Sequence, residues 1–315
     1  MALRWCTIAL VMALAVMVSG GEPAEVACSS IVNCNNDVLR AVQLAGIFND
    51  SKTFVDMPMR QSPEVVLSAF EALGASPSKA ALEAFVREYF EPPGSDLEAW
   101  LPPDWQPEPP LLARIADASL RSWALALNQI WKQLGRKVSA RVAAAPSRFS
   151  LLPVRHAFIV PGGRFREFYY WDAHWIINGL LLCEMHDTAR GMIDNMLDLV
   201  MELGFVPNGG RVYYTRRSQP PFLTQMVASY LEYETARRVP LDYAFLQRAV
   251  TALEREHRFW LESRSVNISS QSSASSFSLA RFRADSNVPR PEGFAEDVAT
   301  AKLAGVDPST VRVSE

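Results

Sequence analysis

The sequence is short of several things at once. It has four cysteines in 315 residues, far too few for a disulfide-stapled scaffold. Its four histidines stand at 156, 174, 186 and 257, and none pairs with another, or with a cysteine, at the spacing of a zinc site. Basic residues are not in excess: 31 Lys plus Arg face 34 Asp plus Glu, a formal charge of −3. With no basic stripe either, a nucleic-acid binder is not indicated. No glycine-rich phosphate loop or dinucleotide turn follows a strand pattern. The serine elbow of the α/β-hydrolases is absent, and so is any long β-alternation. What remains is an average globular composition, 49% hydrophobic and 21% charged, which excludes disorder for the bulk of the chain.

The first twenty residues have their own texture. Arg4 is the only charge before Glu22, an apolar run extends from Trp5 to Val18, and Ser19-Gly20-Gly21 follows. A charged start, an apolar middle and a small-residue end describe a secretory signal peptide. A bilayer span needs about 20 apolar residues, and this run is shorter. The expected organisation is a signal over residues 1–20 and one domain over 21–315, secreted or on the extracellular side of the membrane. Losing Arg4 takes the formal charge from −3 to −4. Cys6 leaves with the signal. Cys28 and Cys34 are candidates for a local disulfide in an oxidising compartment. Cys183, in Leu180-Leu181-Leu182-Cys183, reads as a buried free thiol. Asn49-Asp50-Ser51 and Asn267-Ile268-Ser269 are glycosylation acceptors if exposed.

The dominant pattern is helical. After Ser76-Pro77, read as an N-cap with proline at the first helical position, Leu82, Phe85, Val86, Tyr89 and Phe90 recur at steps of three and four. Five prolines between 102 and 110 mark a surface loop. Leu120, Trp123, Leu127, Ile130, Trp131 and Leu134 then form another helical stripe, stopped by Gly135. Helices are expected over 172–186, 188–203 and about 221–237. After Pro240 a stripe of Leu246, Val250, Leu253, His257 and Trp260 predicts one more. Phe158-Ile159-Val160 and Val212-Tyr213-Tyr214 are candidates for small ribbons. The serine-rich stretch 265–280 reads as a surface loop or insertion. A helix starts at Phe294 and is interrupted by Val306-Asp307-Pro308-Ser309. The fold class is all-α.

The residues that could carry chemistry sit in glycine-opened loops between these helices. Arg164 follows Gly162-Gly163, Glu167 is three residues on, and Trp171-Asp172 opens a helix. Arg217-Ser218-Gln219 and Arg290-Pro291-Glu292 stand in two further loops. Arginine forks, carboxylates and amides hold vicinal hydroxyls with directional hydrogen bonds, and a tryptophan face packs on the C–H side of a sugar ring. A phosphate pocket needs the arginines without the carboxylates. The blander reading is that these groups are salt bridges and caps, with Asp172 an N-cap and Trp171 a core residue.

The run Pro161-Gly162-Gly163-Arg164-Phe165-Arg166-Glu167-Phe168-Tyr169-Tyr170-Trp171-Asp172 resembles the first signature of the trehalase family of glycoside hydrolases. Asp50-Ser51-Lys52-Thr53-Phe54-Val55-Asp56, Gly204-Phe205-Val206-Pro207-Asn208-Gly209, Arg216-Arg217-Ser218-Gln219-Pro220-Pro221 and Arg290-Pro291-Glu292 resemble further family segments. The likeness spans roughly residues 28–300. It implies an (α/α)6 toroid, incomplete in this chain, that hydrolyses α,α-trehalose to two glucoses with inversion and needs no cofactor. An inverting hydrolase pairs a carboxylic acid with a second carboxylate that activates water. By motif, the substrate-holding residues are Arg164, Trp171, Asp172, Asn208, Arg217, Ser218, Gln219, Arg290, Pro291 and Glu292.

Two departures qualify the likeness. His174 stands where the family usually has tyrosine. The family's catalytic acid belongs to a Gly-Trp-Asp-Phe segment about thirty residues beyond Arg-Pro-Glu, and its base lies further on, near a Gln-Trp-Asp signature. These 315 residues contain neither segment. The expectation is therefore a substrate-holding portion without its acid or base. Asp56, Asp172 and Glu292 are the carboxylates that could substitute by type, although the resemblance gives them binding or structural roles. A toroid lacking its last part is expected to leave open apolar helix faces. Three outcomes stay open: an incomplete trehalase, a short isoform that binds sugar or regulates full-length trehalase without hydrolysis, and a product that does not fold.

Overall fold

The computed structural model describes residues 32–34, 37–269, 276–281, 283–284, 286 and 288–306. Residues 1–20, Cys28 and the chain beyond Val306 lie outside these.

Helices dominate, as the periodicity requires. The N-terminal part contains α1 (Asp37–Leu44), a single turn α2 (Lys52–Val55), α3 (Pro63–Glu71) and α4 (Lys79–Tyr89). α4 buries Leu82, Phe85 and Val86, with Phe90 just past its end. Its cap is Ser78, whose Oγ accepts from Ala81 N at 3.2 Å, so the helix starts two residues later than Ser76-Pro77 implied. The proline-rich stretch is a loop leading into the single-turn α5 (Pro110–Ala113) and α6 (Ala118–Leu134), which Asp117 caps.

A small antiparallel sheet, in the order β1-β2-β3, takes one strand from before α5 and two from after α6: β1 (Leu97–Ala99), β2 (Gly135–Val138) and β3 (Phe158–Ile159). Gly135 is required where helix passes into strand, because a Cβ there would lie 2.0 Å from the Trp100 carbonyl oxygen. A short α7 (Ala140–Ala144) sits between β2 and β3. Val212–Tyr214 is a 3-10 turn, not a ribbon. Its two tyrosine hydroxyls are drawn into buried polar contacts that a flat strand would not reach.

The main body is a succession of helical hairpins. α8 (Tyr170–Leu182) and α9 (His186–Leu203) are joined by three residues, and α10 (Leu223–Ala236) and α11 (Tyr243–Ser263) by six. So short a connection makes neighbours run back along each other. α9 packs against α8, α10 and α11 and buries residues around most of its circumference. Successive hairpins of this kind are the building unit of the expected toroid. Cys183, in the α8–α9 turn, is a buried free thiol that accepts the Trp131 indole N–H at 3.4 Å. Cys34 is buried and disulfide-bonded.

Two stripes differ from expectation. On α11 the buried face is Phe245, Ala249, Ala252 and Glu256, one position before the expected Leu246, Val250, Leu253, His257 and Trp260. Alanines permit close packing on α9, but hydropathy gives them little weight. On α6, Trp131 and Leu134 reach the core, whereas Leu120, Trp123, Leu127 and Ile130 are exposed. The serine-rich segment is not simply a loop: β4 (Ser265–Ser269) pairs antiparallel with β5 (Ser276–Ala280). Val266 faces Leu279 and Ile268 faces Phe277, apolar cross-strand pairs hidden among serines. Finally α12 (Phe294–Ala304) returns to pack on α1, and the turn Pro291–Gly293 packs on α2.

Candidate functional site

That return brings distant segments to one place. Gln43 Nε2 donates to the Pro291 carbonyl at 3.1 Å and Ser51 Oγ to Glu296 Oε2 at 2.8 Å. Between them and the start of α8 lies a cavity of about 440 Å³, within the usual range for small-molecule sites. Six of the ten residues expected to hold a ligand line it: Arg164, Asp172, Asn208, Gln219, Arg290 and Glu292. Lys52, Phe165, Tyr169, Tyr214, Gly293 and Glu296 complete the lining. The other four expected residues stand behind or beside the wall. Arg217 forms an ion pair with Glu292. Ser218 Oγ donates to the Val206 carbonyl at 2.7 Å, which ties the loop to the segment that follows α9. Pro291 is buried and supplies the carbonyl just described. Trp171 is at the rim, 38% exposed, with its ring edge-on to Phe222 at 4.8 Å.

The loops are held by their own backbones. Gly162 and Gly163 adopt φ of 106° and 61°, a conformation that glycine takes without strain, and the turn presents Arg164. Asn208 N donates to the Arg217 carbonyl at 2.9 Å, and Tyr170 N to the Asn208 carbonyl at 3.2 Å. Gln219 Oε1 accepts from Trp171 N at 2.8 Å, which joins the third loop to the first helical turn of α8.

Each cation of the lining has a carboxylate partner. Arg164 makes a two-pronged contact with Asp50, at 2.9 and 2.7 Å. Arg290 grips Asp297 at 3.1 and 2.8 Å. Lys52 Nζ donates to Asp56 at 2.9 and 2.7 Å, to Glu167 at 3.0 Å and to the Tyr213 hydroxyl at 3.0 Å. Asp172 and Glu296 have no cation partner among the described residues. Burial raises the half-buried Asp172 carboxyl above its usual value.

Under the pocket is a frame of buried charge that the sequence did not advertise. Lys52, Asp56, Asp96, Glu167 and Arg211 are each 1% exposed or less. Arg211 reaches Glu167 at 3.2 Å and Asp56 at 3.5 Å, and pairs with Asp96. Arg166 adds a 3.1 Å contact to Asp56. Burial opposes ionisation of Asp56, but Arg211 and Lys52 beside it hold its carboxyl below the ordinary range. The Tyr169 hydroxyl donates to Glu167 and meets the Tyr214 hydroxyl at 2.9 Å. Burial keeps both phenols protonated. Lone buried ions are costly and paired ones persist. Glu167, grouped by sequence with the loop residues, therefore belongs to the frame and not to the lining. His174 packs against Phe222 with the rings tilted by 32° and their centroids 4.7 Å apart, and burial lowers its basicity.

No cluster of residues suited to a metal ion occurs among the described residues. A mostly helical scaffold of hairpins carries a polar, charge-compensated pocket between loop and helix ends. The trehalase family model matches residues 46–313. The human trehalase is 43% identical over 95% of this chain and 50% of its own length. The trehalase of Apis mellifera is 43% identical over 94% of this chain and 46% of its own length. The neutral trehalase Nth1 of Saccharomyces cerevisiae, a solved structure, is 31% identical with a TM-score of 0.39, covering 48% of this chain and 27% of that one. On the family match, the chain belongs to the trehalase family. It spans about half the length of the curated relatives it matches.

Proposed function

We propose that these residues form the sugar-holding portion of an α,α-trehalase site, in a hydrolase that cleaves trehalose to two glucoses with inversion. The observation that carries this reading is the neutralised pocket. Lys52, Arg164, Arg217 and Arg290 each have a carboxylate within ion-pair reach. A phosphorylated or carboxylate ligand would have to displace these anions. A neutral disaccharide instead meets a mixed set of donors and acceptors already fixed in place: the arginine forks, the carboxylates of Asp172, Glu292 and Glu296, and the amides of Asn208 and Gln219. Preorganised polar groups of this kind discriminate by leaving unmatched partners unpaired.

The acid and base are not assigned to this pocket. Asp56 is fully buried and ion-paired, and Glu292 is tied to Arg217. Asp172 and Glu296 line the cavity without a cation partner among the described residues, but Glu296 is held by the Ser51 hydroxyl, and an inverting reaction needs two carboxyls about 6.5–9.5 Å apart on opposite faces of the sugar. The reading places both in the family segments beyond Arg290-Pro291-Glu292. Secretion by residues 1–20 belongs to the same reading, and the disulfide at Cys34 supports an oxidising compartment. Asn49 and Asn267, both exposed, are its glycosylation candidates.

The test is glucose release from trehalose by this chain beside a version extended to the length of its relatives. Release by the long version alone supports the reading. Turnover by the short chain at a comparable rate overturns the placement of the acid and base, and makes Asp172 the first carboxylate to replace. Trehalose binding without release, by both versions, favours a sugar-binding or regulatory chain.

A further inference from the structure

Glu256 is 3% exposed on the buried face of α11, and α11 supplies nothing to the pocket lining. Its carboxylate accepts the Tyr170 hydroxyl at 2.8 and 3.0 Å, and the Val206 backbone N–H and the Trp260 indole beside it favour its ionised form. The Tyr170 hydroxyl in turn accepts from Leu223 N, the first residue of α10, at 3.0 Å. Tyr170 and Val206 thus stand against the carboxylate, and Leu223 is linked to it through the Tyr170 hydroxyl. Each continues directly into the site: Tyr170 is two residues before Asp172, Val206 two before Asn208, and Leu223 four after Gln219.

The partners of Glu256 are all neutral. The titratable group facing it is Tyr170 of α8, which burial keeps protonated. The loop after α9 and the start of α10 present backbone only, and Arg255, His257 and Arg258 on its own helix are exposed. No cation pairs with it among the described residues. A buried carboxylate without a counter-charge costs stability, and a packed apolar side chain in its place would not carry that cost. What the carboxylate supplies is an acceptor that fixes the Tyr170 hydroxyl, which in turn accepts from Leu223 N.

We propose that Glu256 is a positioning residue for the sugar pocket, acting through Tyr170 and Val206 on the three loops that carry Asp172, Asn208 and Gln219. The proposal rests on the reading of that pocket as a trehalose site. Ionised, the carboxylate holds both donors strongly; protonated, it accepts them weakly. Burial pushes the Glu256 carboxyl up to about 7, against the pull of the Tyr170 hydroxyl, the Val206 N–H and the Trp260 indole, so the grip changes near neutral pH.

The test uses the full chain and the variants Glu256→Gln and Tyr170→Phe. Trehalose affinity is measured by calorimetry between pH 5.5 and 8.5, with folding followed by circular dichroism. In the wild type, affinity falls about three- to tenfold as pH drops through 7, the effect of weakening one hydrogen bond. Glu256→Gln remains folded and binds with a flat pH profile, and Tyr170→Phe binds weakly throughout. A wild-type profile in Glu256→Gln, or full affinity in Tyr170→Phe, overturns the proposal. A second readout needs no sugar: the backbone amide resonances of Leu223 and Val206 titrate near pH 7 in the wild type and not in Glu256→Gln. If the folded wild type binds no trehalose, the pocket reading fails, and these resonances still decide the linkage. An absence of their titration overturns it.

Discussion

Lys52→Met removes the cation at the centre of the buried frame while keeping an unbranched side chain of similar length. Lys52 is 1% exposed, and its ammonium is shared by Asp56 and Glu167. Without it two fully buried carboxylates lose a partner. Arg211 still reaches both, at 3.5 and 3.2 Å, and Arg166 still reaches Asp56. The expected loss is thus at the lower end of the range for a broken buried ion pair, about 3 kcal/mol. The sign of the pH dependence follows. The depressed Asp56 carboxyl contributes stability that is present above its unfolded value and is lost as pH falls through its folded value. In Lys52→Met the Asp56 carboxyl loses part of that contribution, so the deficit at pH 7 narrows at about pH 3, below the ordinary Asp value of 3.8. The assay is urea unfolding followed by tryptophan fluorescence at both pH values. Lys137→Met is the control, since the Lys137–Glu98 pair is half exposed and such pairs contribute little. A Lys52→Met loss no larger than that of the control would refute the reasoning that the pocket floor is held by compensated charge.

Other outcomes follow from the same contacts. Glu256 has a folded value of about 7 against its usual 4.5, so its burial costs stability above pH 7 and nothing below pH 4.5. Replacing it with glutamine is expected to raise unfolding stability at pH 8 by about 2–3 kcal/mol relative to pH 5, measured by urea melts. Gly135→Ala places a methyl 2.0 Å from the Trp100 carbonyl and is expected to cost about 2 kcal/mol or more, read as a lowered melting temperature. Trp123, 63% exposed, belongs to the uncovered stripe of α6. Exposed apolar patches drive association, so Trp123→Glu with Leu127→Lys is expected to shift the chain towards monomer in analytical ultracentrifugation.

The parts of the fold and site that could be read from sequence are local ones. Helices α4, α8, α9 and α10 announce themselves by their own periodicity and stops, and the expected bounds of α8 to α10 are out by no more than four residues at any end. The Arg164, Asn208, Arg217 and Arg290 segments are contiguous motifs, so each was visible before its neighbours in space were known. The buried frame was not, because Lys52, Asp96, Glu167 and Arg211 come from four separate segments and only the fold makes them partners. Glu256 was missed for a related reason. A carboxylate on an alanine-rich face carries no hydropathy signal, and its burial depends on the Tyr170 hydroxyl arriving from another helix. The exposed stripe of α6 shows the converse: periodicity identifies an apolar face but does not state what covers it. Serine content likewise concealed the paired Val266–Leu279 and Ile268–Phe277 alternation of β4 and β5.

The central claim is that the pocket between Arg164, Asp172, Asn208, Gln219, Arg290 and Glu292 holds a neutral disaccharide. Calorimetric titration of the folded chain with trehalose, and in parallel with its 6-phosphate, tests this most directly. The account predicts saturable binding of trehalose and weaker binding of the phosphorylated sugar, since Lys52, Arg164 and Arg290 are each already paired with a carboxylate. A folded chain that binds no trehalose, or that prefers the phosphate, would contradict it.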